Sequence, residues 1–560
     1  MKLDGGSSLT IFGTPEATWV NEKTSLDLIA DLLLEQTDLT AVERFAQFHD
    51  DAQAPLQGRY YSALIPATPP GPGQQYGFEV DLDRCSGCKA CVSACHSMNG
   101  LDEGEAWRDV GMLIGGTLSL PVIQHVTSAC HHCLDPACMT ACPVDAYEKD
   151  PITGIVKHLD DQCFGCQYCT LACPYDVPKF HSGKGIVRKC DLCGDRLSAG
   201  EAPACVQACP HEAIRIRIVD NADVIARADR DEFLPGAPLP GATRPSTVYR
   251  SARSLDTASL RPADAERLAP EHAHKPLIVM LVLTQLSVGG FIVELFARLL
   301  RPGADLGVPG LGLASLAVGF VGLAASLLHL GRPLFAYRAL LGIRHSWLSR
   351  EATAFALFAS FATAHVIVQH AFSGDFPARL LLCLTVVSGV IGVGMSVMVY
   401  HVVRRPFWAA AIGGTKFAGT TLLLGFAAAL ACLGIARARG SATAGSVAAT
   451  AICLMIASTA KLAYEARLKR TALASQDSPL RKSALLMVGS LKRPAGWRVF
   501  HGIIGGIVLP MFAMVGVFGP DQGVLIAAAV LSLPVVLAAE LTERFLFFTA
   551  VIKPKMPGVH

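Results

Sequence analysis

The sequence predicts two joined folds, a small α+β domain rich in cysteine followed by an all-α bundle of eight transmembrane helices. Two observations predict this organisation. Sixteen of the 19 cysteines lie between Cys85 and Cys209, and long apolar runs follow one another from Lys275 onward. Charged residues make up only 17% of the 560 residues, against about 25% in ordinary soluble proteins. The composition therefore indicates a membrane protein that carries a separate cysteine-rich domain.

The charge balance and the first apolar stretch limit the classes of partner and metal chemistry. A formal net charge of +2 gives no support for nucleic-acid binding, so no nucleic-acid partner is expected. The stretch from Leu26 to Leu34 is interrupted by Asp27 and Asp31, so we expect no secretory signal there. Dense cysteine without such a signal favours metal ligation over disulfide bonds.

Composition divides the chain into four predicted segments. Residues 1–74 are expected to form an N-terminal helical extension and a linker, because the stretch from Pro66 to Gly73 cannot continue a helix. Residues 75–220 hold the cysteine motifs. Residues 221–274 have no clear period and are expected to run as an extended connector. Residues 275–560 form the membrane anchor.

The anchor is predicted from eight long apolar runs separated by basic turns. Each run can cross a hydrocarbon core of roughly 30 Å at about 1.5 Å per residue. A large soluble core would not need so many consecutive runs of this length. The runs cover residues 276–298, 307–330, 352–372, 379–402, 408–433, 444–463, 500–518 and 523–545.

The cysteines form four groups with regular spacing, and three of the groups end in Cys-Pro. Three cysteines at these spacings let one tight loop place thiolates on three corners of an iron–sulfur cube, while the fourth ligates the other cluster of a pair. Sixteen ligands with no cysteine missing predict four [4Fe–4S] clusters. The groups are Cys85/Cys88/Cys91/Cys95, Cys130/Cys133/Cys138/Cys142, Cys163/Cys166/Cys169/Cys173 and Cys190/Cys193/Cys205/Cys209.

Zinc is the alternative metal, because two C-x2-C units can form a four-cysteine zinc site. In the first and third groups a third cysteine follows after two more residues, and Cys-Pro endings are typical of iron–sulfur proteins. These two features favour iron–sulfur clusters. His96 follows Cys95 where the other groups have proline, which leaves the number of ligands unchanged.

With these motifs, residues 75–220 resemble the four-cluster electron-transfer subunit of the dimethyl sulfoxide reductase family of molybdoenzymes. The segments Cys130–Cys138, Asp161–Cys169 and Cys173–Pro178 carry the resemblance. It implies a ferredoxin-like fold of two dicluster modules, in which groups one and four pair and groups two and three pair. The implied ligand sets are Cys85/Cys88/Cys91/Cys209, Cys190/Cys193/Cys205/Cys95, Cys130/Cys133/Cys138/Cys173 and Cys163/Cys166/Cys169/Cys142.

The membrane half resembles the eight-helix anchor subunit of the same family, which implies a fusion of two subunits that are usually separate. The segments His329–Pro333, Ser346–Glu351, Arg404–Trp408 and Glu540–Leu546 carry this resemblance. It implies a large molybdopterin catalytic subunit as partner, together with membrane lipid and the quinone pool. The chain itself has no dinucleotide fingerprint and no P-loop.

Two ionisable residues at the ends of apolar runs are candidates for a quinone site. His329 ends the second run and Glu351 opens the third, so a short loop can bring them to one membrane face, where such groups indicate function. A histidine can accept a proton from quinol and a carboxylate can pass it on. The resembling anchors carry their quinol site in this region. We therefore expect menaquinone or ubiquinone to bind at His329 and Glu351, with Arg332 and Arg350 nearby; interfacial caps are the alternative role.

Other polar groups in the apolar runs are assigned simpler roles. Glu294, His365 and Glu540 are expected to make polar contacts between helices. A bis-histidine haem would need two histidines at matched depth on facing helices, and the spacing of the histidines does not favour such a pair, so no haem is expected.

Loop charge predicts the orientation of the anchor. Loops on the cluster side carry more Lys and Arg than the opposite loops, so the positive-inside rule places the iron–sulfur domain in the cytoplasm, at the inner membrane. The best-known dimethyl sulfoxide reductases face outward, which makes sulfite as attractive a substrate of the partner as an S- or N-oxide. The cluster-side charges are Arg332, Arg338, Arg344, Arg350, Arg404, Arg405, a cluster from Arg467 to Arg498, Arg544, Lys553 and Lys555; the opposite ones are Arg298, Arg301, Arg379, Arg437 and Arg439.

Two functions of different classes follow. The first is an electron-transfer and anchor subunit that passes electrons between a membrane quinone and a separate molybdenum subunit. The second is a redox-driven proton or ion translocator with a fused polyferredoxin. The second would need a chain of buried ionisable residues across several helices. The sequence shows only isolated ones, so it favours the first.

Overall fold

The computed structural model describes residues 29–31, 33–34, 47, 61–117, 119, 121–253, 259–300, 308–371, 375–476, 478–519 and 522–558. The predicted N-terminal extension therefore lies mostly outside the described residues. The chain forms two compact units, Met1–Ser62 and Ala63–His560. The second unit contains both the cysteine-rich domain and the membrane bundle, and a short 3-10 helix covers Ser62–Leu64.

Two three-stranded sheets and two hairpins form the frame of the cysteine-rich domain. The first sheet has the order β8-β1-β9, with β8 antiparallel and β9 parallel to β1; the second has the order β10-β2-β3; β4 pairs with β5 and β6 with β7. The strands are β1 (Gln74–Asp81), β2 (Asp109–Gly116), β3 (Pro121–Ser128), β4 (Tyr147–Lys149), β5 (Val156–His158), β6 (Lys179–His181), β7 (Ile186–Arg188), β8 (Ile214–Asp220), β9 (Val248–Arg250) and β10 (Arg261–Pro262).

Short helices carry or follow the cysteines of this domain. The helices are α1 (Ala90–Met98), α2 (Ala137–Ala141), α3 (Tyr168–Ala172), α4 (Gly194–Ser198), α5 (Ala204–Gln207) and α6 (Asn221–Asp229). Three of them, α2, α3 and α5, end just before a Cys-Pro pair that cannot continue a helix. This small α+β fold confirms the predicted fold class of the cysteine-rich half.

The segment predicted as an extended connector, residues 221–274, is partly structured and packs on the iron–sulfur domain. It contains α6, a 3-10 helix at Pro240–Ala242, and the strands β9 and β10, which each join a sheet. The sequence lacks a period here because each element is only two to nine residues long. Backbone pairing with the edges of existing sheets, rather than an apolar stripe of its own, fixes this segment.

The membrane half is a bundle of long helices joined by short turns. The helices are α7 (Lys275–Leu300), α8 (Leu311–Leu327), α9 (Trp347–Ala371), α10 (Asp375–His401), α11 (Ala410–Ala438), α12 (Ala444–Ala474), α13 (Arg481–Val488), α14 (Lys492–Ile503), α15 (Leu509–Phe518) and α16 (Gln522–Thr549). A π-turn at Ile504–Val508 makes α14 and α15 one continuous span, and 3-10 helices cover Pro333–Leu340 and Pro406–Trp408.

Among the described residues, seven helices are long and apolar enough to cross a membrane, and α8 is a shorter apolar helix of 17 residues. At about 1.5 Å per residue, α8 is about 25 Å long. The backbone N–H of Glu271, ahead of α7, donates to the carbonyl of Thr549, at the end of α16, at 3.0 Å. Because the bundle begins and ends on one side, its number of crossings is even. We therefore count α8 as the eighth span.

Small residues allow the closest helix packing. A Cβ added to Gly289 of α7 would lie 1.9 Å from the carbonyl oxygen of Thr421 in α11. At the cluster-side end, the indole of Trp408 stacks on Phe547 with a centroid distance of 5.6 Å and donates to the Phe547 carbonyl at 2.8 Å. These contacts hold α11 between the first and last helices of the bundle.

Candidate functional site: cysteine cavities and an apolar cavity below them

Left-handed residues turn the cysteine loops tightly. Gly87 has φ +76° and Gly165 has φ +73°, and Lys89 and Gln167, just ahead of the third cysteine of their groups, also have positive φ. A Cβ at Gly165 would lie 2.3 Å from the carbonyl oxygen of Gly185. Glycine is therefore required at this position by both conformation and space.

Helix packing brings the predicted pairs of groups together. Helix α1, with Cys91 and Cys95, packs against α5, which carries Cys205, and α2 packs against α3. Groups one and four, and groups two and three, are therefore neighbours. Burial, together with the nearby Cys205 and Cys193, raises the pKa of Cys95 to about 12, and Arg108 opposes this rise. Burial likewise raises the pKa of Cys142 to about 11, with Cys163 as a neighbouring thiol.

The first cysteine group is open to solvent at one ligand. Cys88 is exposed, while Cys91 and Cys95 of the same group are buried. The physical reason is that Cys88 lies in the irregular loop ahead of α1, at the surface of the domain. Cys85 nevertheless has Cys91, Cys209 and Cys88 as charged neighbours. Cys88 therefore lies beside the other three members of its predicted ligand set, on the solvent side of that set.

One cavity matches a complete predicted ligand set. It spans about 370 Å³ including its opening to the outside, and it is lined by Cys130, Cys133, Cys138 and Cys173, with Lys189 in its wall. Backbone N–H groups point at other cysteine sulfurs: Ala146 donates to Cys142 Sγ at 3.3 Å and Ala213 to Cys209 Sγ at 3.2 Å. Donors of this kind favour thiolates over thiols. Buried thiols together with sulfur-directed donors fit iron–sulfur clusters, whose iron supplies the positive charge that burial of thiolates demands.

Two buried cations among the cysteines were not anticipated from the sequence. The Lys189 ammonium lies 3.6 Å from Cys130 Sγ, donates to the Cys190 carbonyl at 2.8 Å, and is 3% exposed as a residue. Arg108 is equally buried, donates to Thr127 Oγ1 at 3.0 Å, and has Cys205 and Cys91 as charged neighbours. The sequence offered one signal for such a cation, because Lys189 directly precedes the motif cysteine Cys190. These cations offset the negative charge of thiolate-ligated clusters.

The loop between α8 and α9 joins the iron–sulfur domain to the bundle through backbone contacts. The N–H groups of Gly331 and Arg332 donate to the carbonyls of Gly165 and Phe164 at 3.2 and 3.0 Å. Ser346 Oγ donates to the Ala141 carbonyl at 2.7 Å. These contacts hold the loops of cysteine groups two and three directly on the membrane anchor.

A large apolar cavity lies at this junction. It spans about 1140 Å³ including its opening to the outside, and its polar lining comes mainly from His329, Glu351, Tyr168 and Tyr400, with Cys166 also in the wall. Cavities that bind small molecules are typically apolar with a few convergent polar groups. The structure thus brings together the two best candidates from the sequence and places them beside a predicted cluster ligand.

The polar groups of this cavity differ in how they are held. Tyr168 donates its hydroxyl to the Val399 carbonyl at 2.9 Å, and Ser396 Oγ donates to the Glu351 carboxylate. His329 Nδ1 is buried without a hydrogen-bond partner among the described residues. Burial lowers the pKa of His329 to about 4, so its imidazole is neutral near pH 7. A neutral histidine with a free nitrogen can accept a hydrogen bond and a proton from a bound molecule.

The two predicted arginines do not line this cavity. Arg332 Nη1 donates to the carbonyls of Asp160 and Cys163 at 3.0 and 3.3 Å, which holds the loop on the iron–sulfur domain. Arg350 donates to the carbonyls of Ile343 and Arg344 and lies over the Trp347 ring. The guanidinium groups thus donate to carbonyls that irregular backbone leaves without partners. This is the role of interfacial caps, the alternative to quinone binding that the sequence left open.

Buried charges of the bundle form a network, whereas the sequence suggested isolated groups. Helix periodicity places Glu540, Glu543 and Arg544 on one side of α16, where side chains from α11, α12 and α14 meet them. The pairs are Lys416 with Glu543 at 2.9 Å, Arg498 with Glu465 and with Glu540 at 3.1 Å each, Arg544 with Glu543 at 3.7 Å, and Lys461 with Glu540. Arg498 and Arg544, counted as loop charges in predicting the orientation, therefore lie inside the bundle.

Glu294, His365 and Glu540 make the interhelical contacts expected of them. The Glu294 carboxylate pairs with Arg298 at 2.8 Å and lies 3.5 Å from His365 Nε2. His365 Nδ1 is 2.9 Å from the carbonyl of Ala378 on α10. Glu294 and His365 lie toward the end of the bundle that is remote from the iron–sulfur domain.

Comparison with known proteins divides the sequence at the same place as its fold. The family of DMSO reductase anchor subunits (DmsC) matches residues 271–550, half of the chain, and the family described as a 4Fe-4S dicluster domain matches residues 122–218. These matches confirm an iron–sulfur domain fused to a multi-pass membrane anchor.

Relatives of the iron–sulfur half include B subunits of anaerobic dimethyl sulfoxide reductases and a hydrogenase operon protein. The B subunit of the anaerobic dimethyl sulfoxide reductase of Escherichia coli K12 is 36% identical over 186 residues, which are 31% of this chain and 88% of that relative. The corresponding B subunit of Haemophilus influenzae is 36% identical over 188 residues, 32% of this chain and 89% of that relative. The hydrogenase-2 operon protein HybA of Escherichia coli O157:H7 is 33% identical over 211 residues, 33% of this chain and 61% of that relative. The protein therefore belongs to the DMSO reductase anchor subunit family and carries, fused ahead of its anchor, an iron–sulfur electron-transfer domain related to the B subunits.

Proposed function

We propose that this protein passes electrons between a membrane quinone and a separate catalytic molybdenum subunit through four [4Fe–4S] clusters. One observation carries the proposal: the 1140 Å³ cavity has His329 and Glu351 in its membrane half and Cys166 in its iron–sulfur half. A quinone in this cavity would meet a proton acceptor and a cluster ligand together. Menaquinone and ubiquinone both suit an apolar cavity with these polar groups.

The chemistry divides between the bound groups and the residues of the protein. Clusters supply one-electron transfer when they are bound. His329 can bind a quinone oxygen and hold one proton, and Glu351 can hold the other. Tyr168 fixes the cysteine loop to α10 through the Val399 carbonyl, so the wall of the cavity stays next to the cluster loop.

The catalytic partner is proposed from the relatives. Kinship with the B subunits of dimethyl sulfoxide reductase supports a molybdopterin subunit as partner, with an S- or N-oxide or sulfite as its substrate. The excess of basic residues on the cluster side supports a cytoplasmic iron–sulfur domain, even without Arg498 and Arg544. That orientation favours sulfite oxidation, with electrons flowing into quinone.

His329→Ala tests the quinone site in the purified complex. Reduction of the clusters by a quinol such as menadiol should fall by roughly 100-fold, the size of a lost general base, while dithionite still reduces them. His370→Ala is the matched control, because His370 is exposed on α9 and hydrogen-bonds only to the Val366 carbonyl of its own helix among the described residues. Full menadiol reduction in the His329 variant would refute the assignment.

A further inference from the structure

A second cavity meets the buried charge network on the cluster side of the bundle. It spans about 450 Å³ including its opening to the outside, and it is lined by Lys416, Glu543, Glu465 and Lys469, together with apolar residues that include Leu480. Leu480 lies in the turn between α12 and α13, which is on the same side as the iron–sulfur domain. Glu543 lies six residues before the end of α16, about 9 Å along the helix. The cavity thus reaches from this side into the buried charges.

Tyr400 links this network to the apolar cavity that contains His329 and Glu351. Its ring lines that cavity, and Glu351 and Arg544 are its charged neighbours; Tyr400 and the Arg544 guanidinium both pack against the ring of Phe417, at 6.2 and 3.7 Å. Its position is fixed by ring contacts with Trp408, Phe547 and Phe548 at 5.2 to 5.4 Å. Arg544 in turn pairs with Glu543. A continuous series of polar groups therefore runs between the two cavities: Tyr400, Arg544, Glu543 and Lys416, which we call the polar route.

The charge of the network favours the release of a proton. It contains four cations and three carboxylates: Lys416, Lys461, Arg498 and Arg544 with Glu465, Glu540 and Glu543. One positive charge is therefore in excess in a buried site, where uncompensated charge is costly. Loss of one proton from Lys416 or Lys461 would make the network neutral, so a lysine of the network can give up a proton and take one back.

Several buried donors along the route have no partner among the described protein groups. Arg544 Nε and Nη1 and Gln285 Nε2 have no hydrogen-bond partner among the described residues. Arg544 is 0% and Gln285 1% exposed. Buried donors in native proteins are nearly always satisfied, and internal water serves where protein groups do not. Water at these donors would complete a hydrogen-bonded path beside Glu543.

We propose that the polar route carries protons between the quinone cavity and the aqueous phase on the iron–sulfur side. This inference rests on the proposed quinone site. In the oxidation of one quinol, two electrons pass singly to oxidised clusters and two protons leave through Glu351 and Tyr400 to Glu543 and the second cavity. In quinone reduction the same protons enter by the same route. Electrons and protons then move to the same side of the membrane, and the reaction moves no charge across it.

Glu543→Gln in the purified holo-complex tests the route. The substitution keeps the size of the side chain and removes its proton-accepting carboxylate. Cluster reduction by menadiol should slow by roughly 10- to 100-fold with the KM for menadiol unchanged. Dithionite delivers electrons without quinol protons, so its rate and the iron content should stay at the wild-type level. Glu294→Gln is the matched control, a carboxylate equally buried and paired with an arginine but outside the route, and should react at the wild-type rate.

A second variant and a release assay make the outcome decisive. Tyr400→Phe keeps the ring contacts and removes only the hydroxyl, so it should slow menadiol oxidation even if the Glu543 variant does not fold. In liposomes, a pH dye should detect the protons on the side of the iron–sulfur domain. Wild-type rates in both route variants, equal slowing in Glu294→Gln, or release on the opposite side would overturn the route. If menadiol fails to reduce the wild-type clusters, the proposed quinone site is refuted. If the His329 variant is impaired while the Glu543 and Tyr400 variants are not, the polar route is refuted and the quinone site stands.

Discussion

At the residue scale, the chemistry of this protein depends on charges that water does not reach. Lys189 and Arg108 lie among buried cysteines, and their charge favours thiolates and the added electron of a reduced cluster. Lys189 has cysteines of two predicted clusters as neighbours, Cys130 and Cys138 of one and Cys190 of the next. One ammonium group can therefore act on two successive centres of the electron path.

Lys189→Met should lower the reduction potential of these two clusters. Removal of the positive charge disfavours the reduced state, and a shift on the order of 60 mV corresponds to a tenfold change in a one-electron equilibrium. Redox titration followed by EPR measures both centres. Lys189→Arg keeps the charge and should stay near the wild-type potential, as should Lys184→Met in the exposed turn before β7. Unchanged potentials in a folded Lys189→Met protein would contradict this role.

At the scale of elements, the iron–sulfur domain is joined to the anchor by irregular backbone. The α8–α9 loop offers N–H groups of Gly331, Arg332 and Gly342 to carbonyls of the cysteine loops. Gly331 must be small, because a Cβ there would lie 2.1 Å from the carbonyl oxygen of Gly185. Close approach of the two backbones brings the cysteine loop over the apolar cavity, so the same loop joins the domains and contributes His329 to the proposed quinone site.

Gly331→Ala should weaken this junction. A methyl group forced against backbone costs about 1–3 kcal/mol of folding free energy, and it should separate the loop of Cys163–Cys173 from the anchor. We expect a lower thermal unfolding temperature of the complex and slower menadiol reduction of the clusters. Gly414→Ala in α11 is the control, since nothing lies within 4 Å of its added Cβ. Equal stability of the two variants would show that the junction tolerates the methyl group.

At the scale of the whole molecule, the polypeptide returns to the iron–sulfur domain after its last span. The backbone N–H of Gly558 donates to Asp264 Oδ1 at 3.0 Å, and Lys553 pairs with Asp176 at 2.5 Å. The iron–sulfur domain, the start of α7 and the end of α16 therefore lie on one side of the bundle. Electron transfer, proposed proton exchange and contact with a partner would all occur there.

Reporter fusions in cells should place this common side in the cytoplasm. Alkaline phosphatase inserted at Gly440, in the turn between α11 and α12, should be active, because that turn is on the opposite face. Green fluorescent protein inserted at Ser475, after α12, should fluoresce. The reversed pattern would place the iron–sulfur domain outside and favour an S- or N-oxide as the substrate of the partner.

Sequence alone determined the chemistry that is local in the polypeptide. The four cysteine groups, the apolar runs and the short distance from His329 to Glu351 are patterns of spacing, and spacing fixes which thiolates share a loop and which helices cross a membrane. Only the tertiary structure decided what distant residues do together. It left Cys88 at the surface of its group and turned Arg332 and Arg350 away from the cavity. It paired two strands within residues 221–274 with existing sheet edges. It also brought together charges separated by more than 100 residues, from Lys416 to Arg544. Such pairings depend on which helices pack against each other, and the pattern of apolar and polar residues within one helix does not specify its neighbours.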